Sequence, residues 1–251
     1  MSGHSKWATT KHRKAAQDKK RSALFSKLTK VIFVAAKGGD PNPENNAALA
    51  AAIAKAKSYS LPKDKIDAAI AKATGAGSDG SVWAEVVYEG YGPAGVAIYV
   101  ETLTDNRNRT AADVRSSFTK HGGNLGTTGS VAFQFERKGE IIVEMPDDFD
   151  EDEFMLTVAE AGGEDYELGG EEIIVTTAPT EAMAVKTALE GAGVSVRGAD
   201  LVMEPVNPQP LDTGDAKKVM RLVDRLEELD DVQNVYHTMD LTDEQLAELD
   251  E

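Results

Sequence analysis

The spacing of the hydrophobic residues changes at the glycine-rich segment Gly75–Gly80, and this change restricts the folds open to the chain. Before this segment, apolar residues recur every three or four positions, which is the spacing of one face of an α-helix. After it, apolar and polar residues alternate in Val82–Glu89 and Ala94–Thr102, which predicts β-strands. We therefore expect a helical domain and strand-containing domains, joined by a flexible linker at these glycines.

Three helices are predicted before the linker. The first covers Lys14–Lys37, ends at Gly38 and carries one apolar face, formed by Leu24, Leu28, Val31, Ile32 and Ala35. The second runs from about Glu44 to Ser58, and the third begins at Pro62 and ends at Gly75. Three helices with short connections predict a small bundle.

The remaining segments predict two α/β domains. Ser130–Glu136 is expected to be the third strand of the first sheet, after a helix over Thr110–His121 whose first turn resembles a capping box. Residues 138–205 then predict the order strand, helix, strand, strand, helix, strand, which is the ferredoxin-like order. A helix over Asp215–Leu229 and a strand over Val232–His237 follow, and we expect both to return to the sheet that starts at Val82.

The expected fold class is therefore α+β with three domains. Residues 1–78 form a basic three-helix bundle, and residues 79–137 with 206–240 form a discontinuous α/β middle domain. Residues 138–205 form an inserted, acidic, ferredoxin-like domain, and residues 241–251 form an acidic C-terminal tail.

Charge is separated along the chain. The net charge is −16, yet residues 1–39 contain eight Lys, two Arg and one acidic residue, which gives this segment a charge of +9. Residues 138–205 contain 18 acidic and three basic residues. This asymmetry is typical of a basic binding module attached to an acidic body, and nucleic acid is the expected partner.

Two groups of residues are candidates for nucleic-acid binding, because cationic side chains neutralise phosphates and aromatic rings can stack on bases. Those near the N-terminus are Lys6, Trp7, Lys11, His12, Arg13, Lys14, Lys19, Lys20, Arg21 and Lys30. The alternatives for this group are a solvated basic tail or a mitochondrial presequence. The second group is Arg107 and Arg109, at the start of a helix, and the alternative is that they pair with local carboxylates such as Asp105.

No catalytic residue, metal site or cofactor is expected. The chain has no cysteine, and its four histidines are scattered. The glycine motifs at Gly75–Gly80 and Gly90–Gly95 lack the strand-turn-helix context of a dinucleotide site, and Asp147–Glu153 lacks the spacing of a calcium loop. No apolar run approaches the roughly 20 residues of a membrane span, so no membrane partner is expected. The absence of cysteine fits a reducing cytosol, and we expect a cytoplasmic protein with no small-molecule substrate.

Several motifs together resemble the YebC/PmpR family. They are Gly3–Trp7, Lys11–Lys14, Lys37–Asn46, Leu61–Ile66, Tyr88–Val96, Thr104–Thr110 and Gly129–Phe133. The resemblance covers nearly the whole chain and implies a helical first domain followed by two α/β domains. It implies a nucleic-acid-binding regulator of gene expression, namely a transcriptional regulator that binds DNA.

Other members of the resembled family imply a different target. They act in translation, so the alternative is an RNA-binding factor that associates with the ribosome and relieves stalling at proline runs. The acidic domain gives a second alternative, an adaptor that works through protein contacts.

Overall fold

The computed structural model describes residues 18–75, 82–170 and 172–249. These residues form two compact units, one of residues 135–206 and one of residues 18–134 with 207–249. Helices and mainly antiparallel sheets confirm the α+β class. The division into three domains at the boundaries given above stays a prediction. In the described ranges, no helix is long and apolar enough to cross a membrane.

The helices and strands are numbered here in chain order. The helices are α1 (Asp18–Lys37), α2 (Ala47–Ser58), α3 (Lys63–Thr74), α4 (Arg107–Lys120), α5 (Glu151–Ala161), α6 (Ala182–Gly191), α7 (Thr213–Glu227) and α8 (Asp243–Leu249). The strands are β1 (Ala84–Tyr91), β2 (Ala97–Thr104), β3 (Asn124–Leu125), β4 (Phe135–Glu144), β5 (Asp165–Leu168), β6 (Glu172–Thr177), β7 (Val196–Pro205), β8 (Gln209–Pro210), β9 (Val232–His237) and β10 (Met239–Asp240).

Helices α1, α2 and α3 share one hydrophobic core. Leu28 and Ile32 from the predicted face of α1 are buried against alanine and leucine side chains of α2 and α3, and the other three predicted residues are partly buried. Asn46 fixes the turn between α1 and α2, since its side chain accepts the N–H of Leu49 and donates to the carbonyls of Ala35 and Asp40. This cap aligns the two helices.

The first sheet has the strand order β3-β1-β2-β9. Strand β9 pairs antiparallel with β2, so a strand near the C-terminus completes the sheet that begins at Ala84. Helix α7 buries Val219, Leu222, Val223 and Leu226, and α4 buries Val114 and Phe118. A short parallel pair of β8 and β10 follows at the end of this unit.

The second sheet has the order β5-β6-β4-β7 with all pairs antiparallel. This is the strand order of a ferredoxin-like fold. Helices α5 and α6 contribute Phe154, Val158, Val185 and Leu189 to the core of this unit, together with apolar residues of β4 and β6.

Several elements differ from the sequence prediction. The strand predicted at Ser130–Glu136 is wrong, because Ala132–Gln134 is a short 3₁₀ helix and the strand β4 begins at Phe135. The helix predicted from Thr110 begins at Arg107 instead, with Asn106 as its N-cap. The predicted tail contains the helix α8.

Each of the first two differences has a local cause. The carboxylate of Glu89 accepts the backbone N–H groups of Gly129, Val131 and Ala132, so these groups cannot join a β-ladder. Asn106 accepts the N–H of Arg109, which starts the helix three residues before the predicted capping box.

Candidate nucleic-acid interface

Most of the predicted binding residues near the N-terminus cannot be placed. Lys6, Trp7, Lys11, His12, Arg13 and Lys14 lie outside the described residues. Lys19, Lys20 and Arg21 belong to α1, but their side chains are also outside the description. The structure therefore places three of the predicted residues in detail: Lys30, Arg107 and Arg109.

Lys30 and Arg109 meet at the carboxylate of Asp231, which precedes β9. The Nζ of Lys30 lies 3.1 Å from one carboxylate oxygen, and the guanidinium of Arg109 lies 2.7 Å from the other. The hydroxyls of Thr104 and Thr110 also donate to Asp231, at 3.3 and 2.8 Å. This junction joins α1, α4, β2 and the loop before β9.

Asp231 is nearly buried, with 10 % of its side chain exposed. Burial by itself would raise the pKa of Asp231, but the hydrogen bonds from Arg109, Thr110 and Lys30 outweigh burial and hold this pKa below its usual value. The carboxylate is therefore charged at neutral pH and stabilises two cations at once.

The junction gives two predicted binding residues internal partners. Arg109 also pairs with Asp105 at 2.9 Å, which is the alternative that the sequence offered for this arginine. Lys30 donates to the carbonyl of Asp230 at 2.7 Å and lies 5.5 Å from the centre of the Trp83 ring. Their contact with nucleic acid stays a prediction. Arg107 differs, since it is exposed and forms no ion pair with the rest of the described chain.

Lys27 of α1 makes a further, partly buried contact. Its Nζ donates to the carbonyl of Glu227 at 2.7 Å, near the C-terminal end of α7. Burial lowers the pKa of Lys27 to about 8; the positive charge of Lys30 adds to this effect, and Asp230 opposes it. The sequence pattern does not predict this contact, because the two residues are 200 positions apart.

Replacing Lys27 with methionine is expected to remove a rise in stability above pH 8. The pKa of Lys27 is about 8 in the folded protein and near 10.5 in an unfolded chain. Between these values the unfolded chain binds more protons, so the free energy of unfolding increases with pH, by on the order of 3 kcal/mol over the full interval. Below pH 8 the cost of burying the charge is fully present.

Urea denaturation at pH 7, 8, 9 and 10 measures this effect. The control is Lys57→Met, which changes an exposed lysine of the helical segment (residues 18–75, helices α1 to α3). This variant should keep the increase in the free energy of unfolding above pH 8. Equal pH dependence in the two variants would contradict the assignment to Lys27.

Other lysines of the helical segment remain open to solvent. Lys57, Lys63, Lys65 and Lys72 are exposed and form no ion pair with any described residue. Lys65 lies 5.4 Å from the centre of the Phe25 ring, and Lys72 lies 5.8 Å from that of Phe33. Such cation–π contacts orient an ammonium group and leave its charge available.

These four lysines are not among the predicted site residues. The sequence signal for these lysines is a low count of acidic residues around them. Residues 1–75 contain fifteen basic residues (Lys and Arg) and five acidic ones (Asp and Glu), whereas residues 76–251 contain twelve basic and 38 acidic residues. The pattern of α2 and α3 does not single them out, because both helices are rich in alanine, which indicates a helix and gives no information about its ligand.

No metal centre accompanies this surface in the part of the chain that the structure describes. There, no group of three or more His, Cys, Asp or Glu residues is arranged to hold an ion.

Comparison with known proteins gives consistent matches over the whole length. Two protein-family models match the chain. The one described as the TACO1/YebC protein N-terminal domain matches residues 5–76, and the one described as the TACO1/YebC second and third domain matches residues 83–239. A relative from Rubrobacter xylanophilus is 53 % identical over 249 residues, which are 99 % of each chain. One from Bifidobacterium animalis subsp. lactis is 52 % identical over the full length of both. Both are named probable transcriptional regulatory proteins.

A solved structure is also similar. The crystal structure of a conserved hypothetical protein from Aquifex aeolicus matches with a TM-score of 0.81 and 44 % identity, covering 92 % of this chain and 94 % of that one. The family matches, the identities and the shared fold agree with one another. The chain therefore belongs to the TACO1/YebC family.

Proposed function

We propose that this protein is a non-catalytic regulator of gene expression in the cytoplasm that binds nucleic acid, with DNA as the first candidate. One observation carries the proposal: the helical segment exposes Lys57, Lys63, Lys65 and Lys72 without a carboxylate partner among the described residues, while the rest of the chain is strongly acidic. The names of the relatives, probable transcriptional regulatory proteins, support a regulatory role.

The physical basis is the release of counterions from the phosphate chain. Each ammonium group that neutralises a phosphate releases condensed cations, and this gain does not depend on base sequence. A lysine that is already paired with a carboxylate contributes less binding free energy, because its ion pair must first be broken. The unpaired lysines of α2 and α3 are therefore the described cations of this segment best suited to bind phosphate.

Replacing Lys57, Lys63, Lys65 and Lys72 by glutamine tests the proposal. We expect at least about tenfold weaker binding to a duplex DNA or a structured RNA. The slope of the logarithm of the binding constant against the logarithm of the salt concentration should become smaller by about 2.8–3.6, since each lost phosphate contact reduces this salt slope by about 0.7–0.9. The measurement is fluorescence anisotropy between 50 and 200 mM salt.

A matched control removes the same number of charges elsewhere. It replaces four ion-paired lysines by glutamine. They are Lys138, Lys186, Lys217 and Lys218, which pair with Glu164, Glu190, Glu248 and Asp215, respectively. We expect affinity and salt slope close to those of the wild type. If both quadruple variants lost affinity equally, net charge alone would explain the binding, and the proposed surface would be wrong.

A ribosome-associated role is the second candidate, because the exposed lysines are equally compatible with a folded RNA. Contacts between ammonium groups and phosphates carry no information about base sequence, so this surface suits folded RNA as well as duplex DNA. Sedimentation of a cell lysate at moderate salt distinguishes the transcriptional role from the ribosome-associated role. If the wild type sediments with ribosomes and the quadruple lysine variant does not, a role in translation is favoured. If the wild type does not sediment with ribosomes and instead shifts promoter DNA in a gel with a sequence preference, a role in transcription is favoured.

A further inference from the structure

The outer face of α4 carries positive charge in an otherwise acidic part of the chain. The helix contains Arg107, Arg109, Arg115 and Lys120 and one acidic residue, Asp113. Arg109 is bound to Asp231, as described above. The other three basic residues are exposed and form no ion pair with the described remainder of the chain. Helix α4 therefore presents exposed cations within residues 76–251, where acidic residues outnumber basic ones about three to one.

A shallow concavity of about 520 Å³ lies on this face. It is lined by Asn108, Ala111, Ala112, Arg115, Ser116, Thr119 and Lys120. Among the described residues, the lining consists of two cations, three neutral polar side chains and two alanines, with no carboxylate and no aromatic ring. The small side chains leave room for a ligand to approach the helix closely.

The opposite face of α4 fixes the position of this concavity. Val114 and Phe118 are completely buried, and the hydroxyl of Thr110 donates to Asp231. Asn106 caps the first turn. The helix is therefore held at both its inner face and its start, so that Arg115 and Lys120 project from a rigid support. Rigid presentation reduces the entropy that a ligand must overcome on binding.

We propose that this face of α4 is a second nucleic-acid contact, which binds the sugar–phosphate backbone. This proposal rests on the function proposed above. Arginine, lysine, serine, threonine and asparagine are the side chains that proteins use for phosphate and sugar contacts, and the concavity combines all five. Contacts of this kind position a protein on nucleic acid without reading its bases. The face thus adds affinity and orientation to the lysine surface of α2 and α3.

The first test replaces Arg115 and Lys120 by glutamine in the full-length protein. We expect roughly threefold to tenfold weaker binding to the duplex or structured RNA that the wild type binds, and a salt slope smaller by about 1–2. The control, Lys217→Gln with Lys218→Gln, removes two ion-paired charges from α7 and should leave binding unchanged. Both pairs remove the same charge, so net charge cannot explain a difference.

A second test uses the absence of cysteine from the chain. Ala112→Cys places a single thiol on the proposed face, and Ala184→Cys places one on the exposed side of α6 as a control. Bound nucleic acid should slow maleimide labelling at position 112 and leave labelling at position 184 unchanged. This readout does not depend on whether a substitution weakens binding.

The outcomes separate the two proposals. If the glutamine variants of Lys57, Lys63, Lys65 and Lys72 lose affinity while Arg115→Gln with Lys120→Gln does not, and position 112 stays unprotected, the α4 contact is wrong and the proposed function stands. Protection at position 112 by an acidic peptide and not by nucleic acid would identify a protein partner and overturn the α4 proposal. If the wild type binds neither DNA nor RNA, both proposals fail.

Discussion

Replacing Asp231 by alanine is expected to lower the free energy of unfolding by about 3–5 kcal/mol, the range measured when one member of a buried ion pair is removed. The carboxylate accepts hydrogen bonds from Lys30, Arg109 and Thr110. Alanine would leave the ammonium of Lys30, which is 18 % exposed, without its carboxylate partner. The cost is therefore the loss of the pair together with the desolvation of an unmatched charge.

The control for this substitution is Asp105→Ala. Asp105 pairs with the same Arg109 at a similar distance, but its side chain is one-third exposed. Exposed ion pairs contribute about 0–1 kcal/mol, so the expected loss is below about 1 kcal/mol. Urea denaturation at pH 7 measures both variants. Equal losses would show that the junction behaves as an ordinary surface pair.

The dependence on pH gives an independent check of the same carboxylate. The pKa of Asp231 is below its usual 3.8 in the folded protein, so its contribution is fully present above that value and is lost as the pH falls through the lower folded pKa. The difference in stability between wild type and Asp231→Ala should therefore shrink as the pH falls below about 4. A difference that stays constant would exclude ionisation of Asp231 as its source.

The helical part of the fold follows from local signals in the sequence. Leu28 and Ile32 recur at helical spacing and are buried as that spacing predicts. The first helix ends at Lys37, directly before Gly38, as the sequence predicts. Such features depend on residues within one or two turns of each other, so a single sequence contains them completely.

The junctions do not follow from local signals. Lys30 and Asp231 are 201 positions apart, and their pairing depends on how the helical segment packs beside β9. A count of basic residues places Lys30 in a binding surface, whereas the fold gives it a carboxylate. The same count cannot distinguish it from Lys57, which is exposed. Charge along the sequence thus predicts the basic segment, and only the fold reveals which cations are already paired.

Glu89→Gln is the second substitution with a large expected effect, a loss of about 2–4 kcal/mol, because several charge-assisted hydrogen bonds depend on one buried carboxylate. Glu89 is 4 % exposed. One carboxylate oxygen accepts the N–H of Gly129 at 2.7 Å, and the other accepts those of Val131 and Ala132 at 2.8 Å each. Burial by itself would raise the pKa of Glu89, but these three N–H groups lower it below its usual value.

Glutamine keeps the size of the side chain and changes its hydrogen-bonding capacity. Its amide has one acceptor oxygen and one NH₂ group, so at least one of the three N–H groups would face a donor instead of an acceptor. The control is Glu85→Gln, an exposed position of the same strand, for which we expect a change within about 0.5 kcal/mol. Urea denaturation measures both variants at pH 7.

Hydrogen exchange then locates the effect. The amides of Gly129, Val131 and Ala132 should exchange faster in Glu89→Gln, while those of β2 should change only with global stability. The loop that these amides stabilise also carries Phe133, whose side chain is 73 % exposed. The carboxylate of Glu89 therefore binds the backbone of the segment that carries this exposed ring. If the three amides exchanged at wild-type rates, the loop would be stabilised by its own turns and Glu89 would contribute little to its order.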